Sequence, residues 1–423
     1  MAEPHAPEPY GSEFAAKLRA APWLKTPSLR AVMAALAPGG ETRIVGGAVR
    51  NTLLGLPVTD IDLATTALPE AVMRLAAQAG LSVYPTGLAH GTVTVVSGGV
   101  PFEVTTLRRD AETDGRRAVV AFTTVWTEDA QRRDFTINAL YASADGDIFD
   151  YVDGLPDLAQ RKLRFIGEAH ARIREDYLRI LRFFRFAAQY GLIPLDRHGL
   201  DACRDLKAGI ATLSGERIGS EMLKFVIAPH ATGVLPAMAQ TGVLDTVMGG
   251  QSQPEVLPKL IAIETNLEIT PDAPTRLAAL MSPQANAEGL AQRLRLSGQQ
   301  ALDLHAAAAT SDTAFNPKTP ERAARVYLYR IGNDAFARAA RVAWARSDHA
   351  LNDDASRARA TLTQRWSAPQ LPLRGADIIA LGVPAGPRVG RILGAFEAWW
   401  IEQDFTTDIA LQKAALTELL TRD

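Results

Sequence analysis

The sequence predicts an α+β protein, with a small mixed sheet toward the N-terminus and an all-helical remainder. Three observations predict it. Up to about residue 150, short β-branched runs alternate with helix-like stretches. The segment Asp147–Pro156 is rich in turn residues and marks a boundary. Beyond Arg172 the chain, rich in alanine, leucine and arginine, reads as helix to its end.

The elements follow in order. Residues 1 to 25 read as a flexible leader that settles into a short amphipathic segment. Ile44-Val45 and Ile61–Ala64 are short strands by composition. A helix opens at Pro69-Glu70, where proline is tolerated in a first turn, and runs to Ala79. Thr92–Val96 and Phe102–Thr105 read as strands joined by a turn at Gly98-Gly99. Arg108–Arg117 is charged, lacks a large apolar anchor and reads as a mobile loop beside a site, or as an ordinary solvated loop. Thr136–Tyr141 either closes the sheet or starts its last helix. The expected division is a leader at 1–25, a head at 26–155, a helical neck at 156–228, a helical body at 229–368 and a helical tail at 369–423.

Composition narrows the class. A chain of 423 residues exceeds one ordinary core. Lysine and arginine total 45 against 47 acidic residues, so a net charge of -2 advertises no general nucleic-acid binder. The single cysteine, Cys203, excludes an internal disulfide and a thiolate-built zinc site. Met1–Pro9 lacks a basic start followed by an apolar run, and no apolar stretch reaches membrane-spanning length. The cytoplasm is the expected compartment.

Two aspartates, Asp60 and Asp62, stand one residue apart shortly after Gly46-Gly47. On an extended strand alternate side chains share a face, so both carboxylates leave the sheet together and Ile61 points back. Adjacent carboxylates repel unless a cation lies between them, and hard oxygen ligands favour Mg2+. Two ions can bridge such carboxylates, a triphosphate and an attacking hydroxyl. Glu103, between Phe102 and Val104, is the candidate third carboxylate; its alternative is a solvent-facing strand residue. The glycines let backbone amides approach a phosphate, and Arg50 follows at the start of the next helix, within reach of one. Together these residues point to phosphoryl chemistry. Gly46-Gly47 starts neither a Walker sequence nor a dinucleotide turn.

Arg132-Arg133-Asp134 offers guanidinium forks for phosphate and a carboxylate that accepts from ribose hydroxyls. Its alternative is an Arg–Asp pair at a helix start, with Asp134 as N-cap. Glu175–Phe186 reads as one helix with an apolar seam. On it Asp176 and Arg179 lie about 60° apart, Arg182 follows about 60° further on, and Arg185 faces away. A carboxylate beside a guanidinium matches the amino group and acceptor nitrogen on the edges of cytosine and adenine. The alternative is a surface ion pair of roughly 0.2–0.5 kcal/mol. Ser214 is a candidate N-cap for a helix carrying Glu216 and Arg217.

The segments Gly46-Gly47-Ala48-Val49-Arg50-Asn51, Asp60-Ile61-Asp62 and His90-Gly91-Thr92-Val93 resemble the head of the bacterial-type CCA-adding tRNA nucleotidyltransferase and poly(A) polymerase family. That family belongs to the polymerase-beta-like nucleotidyltransferase fold, and residues 40–225 carry the match in order. The resemblance implies a metal-dependent enzyme whose partners are CTP, ATP and the tRNA 3′ end, with no membrane and no obligate protein partner. It assigns Asp60 and Asp62 to metal and catalysis, Asp134 to the ribose, Arg133 to nearby nucleotide binding, and Asp176 and Arg179 to the base, with Arg182 beside them. Glu216 and Arg217 would hold the neck helices. Tyr177-Leu178 departs from the Pro-Leu frequent in the family. Poly(A) synthesis and CC-only or A-only addition share every one of these motifs, and a decayed, RNA-binding homologue would keep the fold.

The back half carries little chemistry. No His-Asp doublet with partner histidines marks the hydrolase domain attached to some family members. Arg322, Arg325 and Arg330 share a helix with Tyr327 and Tyr329, which suits an RNA surface or an ordinary amphipathic helix. Gly382–Gly390 and Trp399-Trp400 resemble the family's RNA-holding tail, or form a packed helix hairpin.

Overall fold

The structure, a computed structural model, describes residues 10–110 and 120–421. The chain forms two compact units, residues 1–247 and 248–423.

The first unit is built on a seven-stranded mixed sheet. Its strands are β1 (Thr42–Val45), β2 (Asp62–Thr65), β3 (Ser82–Gly87), β4 (Thr92–Ser97), β5 (Val100–Thr106), β8 (Leu140–Ala142) and β9 (Ile148–Asp150), in the order β3-β4-β5-β2-β1-β8-β9. Among the described residues only β2 and β5 pair in parallel, in a register that sets Asp62 beside Glu103. A separate hairpin joins β6 (Arg108–Asp110) to β7 (Val120–Phe122). Most of the loop expected at Arg108–Arg117 lies outside the described residues. Along β4 burial alternates, with Val93 and Val95 inside, as a half-buried strand requires. The helices of this half are α1 (Tyr10–Ala20), α2 (Pro27–Leu36), α3 (Gly47–Leu54), α4 (Pro69–Gln78), α5 (Trp126–Gln131) and α6 (Gly154–Ala159).

Several expectations shift. Residues 1–9 of the leader lie outside the described residues, but 10–25 are ordered: Phe14 and Leu18, one turn apart on α1, are buried, and Trp23 Nε1 donates to Thr52 Oγ1 at 2.9 Å. The aspartate strand starts at Asp62, not Ile61. On the β1 side that strand ends at Val45, opposite Asp62, where Gly46 turns the chain into α3, and the pairing with β5 also begins only at Asp62–Glu103. Thr136–Tyr141 does both things asked of it: Thr136–Asn138 is one 3-10 turn and Leu140 enters β8. The turn-rich boundary contains β9, after which Asp150 accepts from the amides of Val152, Gly154 and Leu155 at 3.2, 2.9 and 2.8 Å. Gly154 is required there, because a Cβ would meet the Thr136 carbonyl at 2.4 Å.

The unit continues through α7 (Ala169–Glu175), α8 (Leu178–Tyr190), α9 (Arg197–Leu206), α10 (Gly215–Val226), α11 (Ala231–Gln240) and α12 (Val243–Met248). The helix expected across Glu175–Phe186 is broken: Asp176 is extended, at φ -155° and ψ 104°, and separates α7 from α8. Ser214 occupies the N-cap position of α10 without a side-chain capping bond. Phe183 of α8 stacks on Phe165 at 5.4 Å, and Phe165 meets Phe135 at 4.9 Å. This aromatic run packs the expected head and neck into one core, so the first unit passes residue 228 and ends at 247.

The second unit is helical: α13 (Val256–Asn266), α14 (Ala273–Leu280), α15 (Ala287–Arg293), α16 (Gly298–Ala308), α17 (Glu321–Ile331), α18 (Asn333–Arg346), α19 (Asp354–Ala360), α20 (Leu362–Arg365), α21 (Gly375–Ala380), α22 (Pro387–Glu402) and α23 (Ile409–Thr421). The buried Glu264–Arg276 pair, at 2.8 Å, ties α13 to α14. The basic and aromatic face of α17 is largely spent on packing. Arg322 donates to the Ile401 and Glu402 carbonyls at 3.0 and 2.9 Å, and Tyr329 donates to Glu397 at 2.6 Å. Trp400 is buried in the same cluster, so the expected tail shares a core with α17 rather than standing apart.

Candidate active site

One cleft of about 540 Å³ in the first unit is lined by Gly46, Gly47, Arg50, Asp60, Asp62, Glu103, Arg133, Asp134, Asp176, Arg179 and Arg182. They include every residue that the sequence assigned to metal, catalysis or nucleotide binding. Asn138, Arg108, Arg132, Thr105 and Phe186 line it as well.

The floor is acidic. Gly46, at φ +69°, takes the chain from β1 into α3 in a conformation that favours glycine, and brings the start of α3 to the cleft. Asp60 and Asp62 approach from the start of β2, and the parallel register brings Glu103 alongside. Burial, then Asp60 and Glu103, push the Asp62 carboxyl up to about 6. Asp62 is thus crowded by two other carboxyls that Arg133 offsets only in part, an arrangement that suits a divalent cation. Among the described residues no three of His, Cys, Asp and Glu are grouped to hold a metal by themselves. A pair of aspartates completed by substrate phosphate and water is the arrangement Mg2+ commonly takes.

The wall is a set of paired arginines. Asp134, buried, accepts from the Phe135 amide at 2.8 Å, Asn138 Nδ2 at 2.9 Å and Arg182 Nε at 2.7 Å. Burial alone would raise its pKa; Arg182, Asn138 and the Phe135 amide outweigh that and hold it low. It is not the N-cap of the following 3-10 turn, a place taken by Phe135. Arg50 is more enclosed than its position in sequence suggests. Its guanidinium donates to Asn51, Asn138 and the Tyr190 hydroxyl and lies over the Tyr190 ring at 4.3 Å, so it joins α3 to α8.

The helical side carries Asp176 and Arg179, joined by a backbone bond from the Arg179 amide to the Asp176 carbonyl at 3.0 Å while their side chains take other partners. Asp176 accepts from the Leu178 amide at 3.1 Å and from Arg217 Nη2 at 2.6 Å. Arg179 donates to Glu175 at 2.6 Å and to the carbonyls of Arg172 and Arg132 at 2.8 and 3.1 Å. Arg185 turns away and pairs with Glu221.

A family model described as the poly A polymerase head domain matches residues 42–164, the segment that contains the sheet strands from β1 to β9. The "CCA tRNA nucleotidyltransferase 1, mitochondrial" of Danio rerio is 36% identical over 368 residues, spanning 85% of this chain and 83% of that protein. The chain belongs to the CCA tRNA nucleotidyltransferase family. The "CCA-adding enzyme" of Lactobacillus gasseri is 31% identical over 398 residues, spanning 90% of this chain and 94% of its own. The solved Bacillus stearothermophilus CCA-adding enzyme, in complex with CTP, aligns with a TM-score of 0.74 at 27% identity over 94% of this chain and 99% of its own. The Thermotoga maritima CCA-adding enzyme, at 16% identity, 97% of this chain, 98% of its own and a TM-score of 0.69, shares the fold.

As a CCA tRNA nucleotidyltransferase the chain is an enzyme, and its nucleotidyltransferase head is the mixed-sheet unit expected from sequence. Asn138 escaped sequence reasoning although it follows Asp134 by one turn's spacing and links that residue to Arg50. Asp129 escaped too. Its i+3 and i+4 spacing to Arg132 and Arg133 was the available signal.

Proposed function

We propose that this enzyme builds the CCA end of tRNA from CTP and ATP, without a nucleic-acid template, in the cleft of its first unit. The observation that carries the reading is the cleft's composition. One cavity is lined by the acidic floor of Asp60, Asp62 and Glu103, by Arg133 and Asp134, and by Asp176 and Arg179. Metal holding, phosphate and sugar contacts, and base reading therefore share a single nucleotide-sized space.

Asp60 and Asp62 would hold the divalent cations, two Mg2+ ions in the full reading, with Glu103 as a possible third carboxylate. Held there, the metal would supply Lewis-acid chemistry, lowering the pKa of the primer's 3′-hydroxyl and offsetting charge on the departing pyrophosphate. The chain's own residues supply the rest. The amides at the start of α3, with Arg132 and Arg133, receive triphosphate oxygens. Asp134 accepts from the ribose. Asp176 accepts from the amino group that cytosine and adenine share, and Arg179 donates to the adjoining acceptor. Because those two side chains take the place of a template, the choice between C and A must follow the growth of the primer.

The test is incorporation of each of the four nucleotides into tRNA ending before CCA, in C, and in CC. The expected products are C, C and then A. Long adenosine tracts would make the enzyme a poly(A) polymerase, and no addition would make it a binding protein. In the same assay Asp176→Ala and Arg179→Ala should admit UTP or GTP; if both keep the wild-type order of additions, the base-reading assignment is wrong. No helix among the described residues is long and apolar enough to cross a membrane.

A further inference from the structure

The segment before Arg132-Arg133 holds a carboxylate that does not line the cleft yet holds three residues that do. Asp129, on α5, is 1% exposed. One oxygen accepts from the Arg108 amide at 3.2 Å and Arg132 Nε at 3.0 Å. The other accepts from Arg133 Nε at 3.1 Å, Arg133 Nη2 at 2.9 Å and the Tyr141 hydroxyl at 2.8 Å. Tyr141 comes from β8, so the carboxylate is clamped between a helix and the sheet. Burial would favour the neutral acid, but Arg133, Arg132 and the Tyr141 bond outweigh it and keep the group ionised.

A buried ion pair is a poor way to gain stability, since apolar residues of equal volume commonly do as well. It is a good way to aim guanidinium groups, because each fork has a fixed bonding plane. Without the carboxylate Arg132 would lose its Nε bond and Arg133 would be left on the Tyr141 hydroxyl, which its Nε meets at 3.1 Å. The same clamp fixes the backbone at Arg132, whose carbonyl receives Arg179 at 3.1 Å.

We propose that Asp129 is a positioning residue for the nucleotide: it orients Arg132 and Arg133 toward the incoming triphosphate, with Tyr141 as its brace. The inference rests on the cleft being the nucleotide site. It concerns nucleotide binding rather than tRNA binding, since the hydrogen-bond partners of Asp129 among the described residues all belong to the head.

The experiment measures KM for CTP and ATP, kcat and tRNA affinity for the full chain and for Asp129→Asn, which keeps the shape and removes the charge. The expected result is a rise in nucleotide KM of about 10- to 100-fold, as for loss of charge-assisted bonds, with tRNA affinity within about twofold. A purely structural role would lower the folded, active fraction and leave KM in place, and that result overturns the proposal. If Asp129→Asn does not fold, Tyr141→Phe decides. It removes one hydroxyl that bonds both Asp129 and Arg133, and should raise nucleotide KM by roughly threefold or more; an unchanged KM overturns the proposal. Absence of incorporation by the wild-type chain sinks the nucleotidyl-transfer reading and this inference with it. An active wild type with unchanged KM in the variants sinks the inference alone.

Discussion

Arg217 on α10 reaches Asp176 at the α7–α8 elbow, Nη2 to Oδ2 at 2.6 Å, across 41 positions of sequence. The side chains are 47% and 32% exposed, so the pair adds no more than about 1 kcal/mol to stability. Its consequence is orientation, because the other Asp176 oxygen is already held by the Leu178 amide. Arg217→Gln should therefore leave the melting temperature nearly unchanged while raising misincorporation of UTP and GTP. Unaltered selectivity would place Arg217 in the neck's packing alone.

Asp60→Ala and Asp62→Ala should each lower incorporation by at least about a thousandfold while tRNA binding survives, because the metal would assist the chemical step whereas nucleic-acid affinity comes mainly from cationic contacts to phosphates, which an aspartate does not make. Turnover near normal in both variants would remove the metal assignment. Glu103→Ala is the milder case: it is exposed and adjoins Asp62, so a partial loss is expected, recovered in part by raising Mg2+.

The raised Asp62 pKa predicts a trade between activity and stability. An acid pushed up to about 6 in the folded chain favours folding while protonated. That contribution is full below its ordinary value of 3.8 and is lost as pH rises through about 6. Without metal at pH 8, Asp62→Asn should exceed the wild type in stability by roughly 1–2 kcal/mol, with the gap narrowing toward pH 5. Mg2+ should stabilise the wild type more than the variant. Melting curves at both pH values, with and without Mg2+, check this; a wild type as stable as the variant at pH 8 without metal contradicts it.

Asp134→Ala should act twice. Removing a buried carboxylate leaves Arg182, Asn138 and the Phe135 amide without their acceptor, a loss of about 3 kcal/mol. Discrimination of ATP over dATP should fall by about tenfold or more if the same carboxylate meets the ribose. Denaturant unfolding and paired ATP and dATP kinetics separate the two effects; destabilisation with discrimination intact assigns Asp134 to structure alone.

Much of this protein was legible in its residues. The β4–β5 hairpin follows from alternating burial and from Gly98 and Gly99, both at positive φ. The α4 start follows from Pro69. Every selected site residue lines the one cleft, because each motif is a local pattern of side chains whose chemistry is evident from their types. Those motifs, through their resemblance to a family, also carried the fold.

Tertiary structure decided the partners. An unbroken helical period through Glu175–Phe186 would have faced Asp176 toward Arg179; the elbow at Asp176 breaks that period, and the two side chains bond elsewhere. Arg50, expected within reach of a phosphate, lines the cleft and is also held by Asn138 and by Tyr190, 140 positions away. The head and neck were separable by composition, yet share one aromatic core. Periodicity reports only neighbours within a turn or along a strand, so it reveals which groups a segment presents. Which of them are spent on one another depends on how buried donors and acceptors from distant segments are satisfied together, and that balance is struck only when the chain closes on itself.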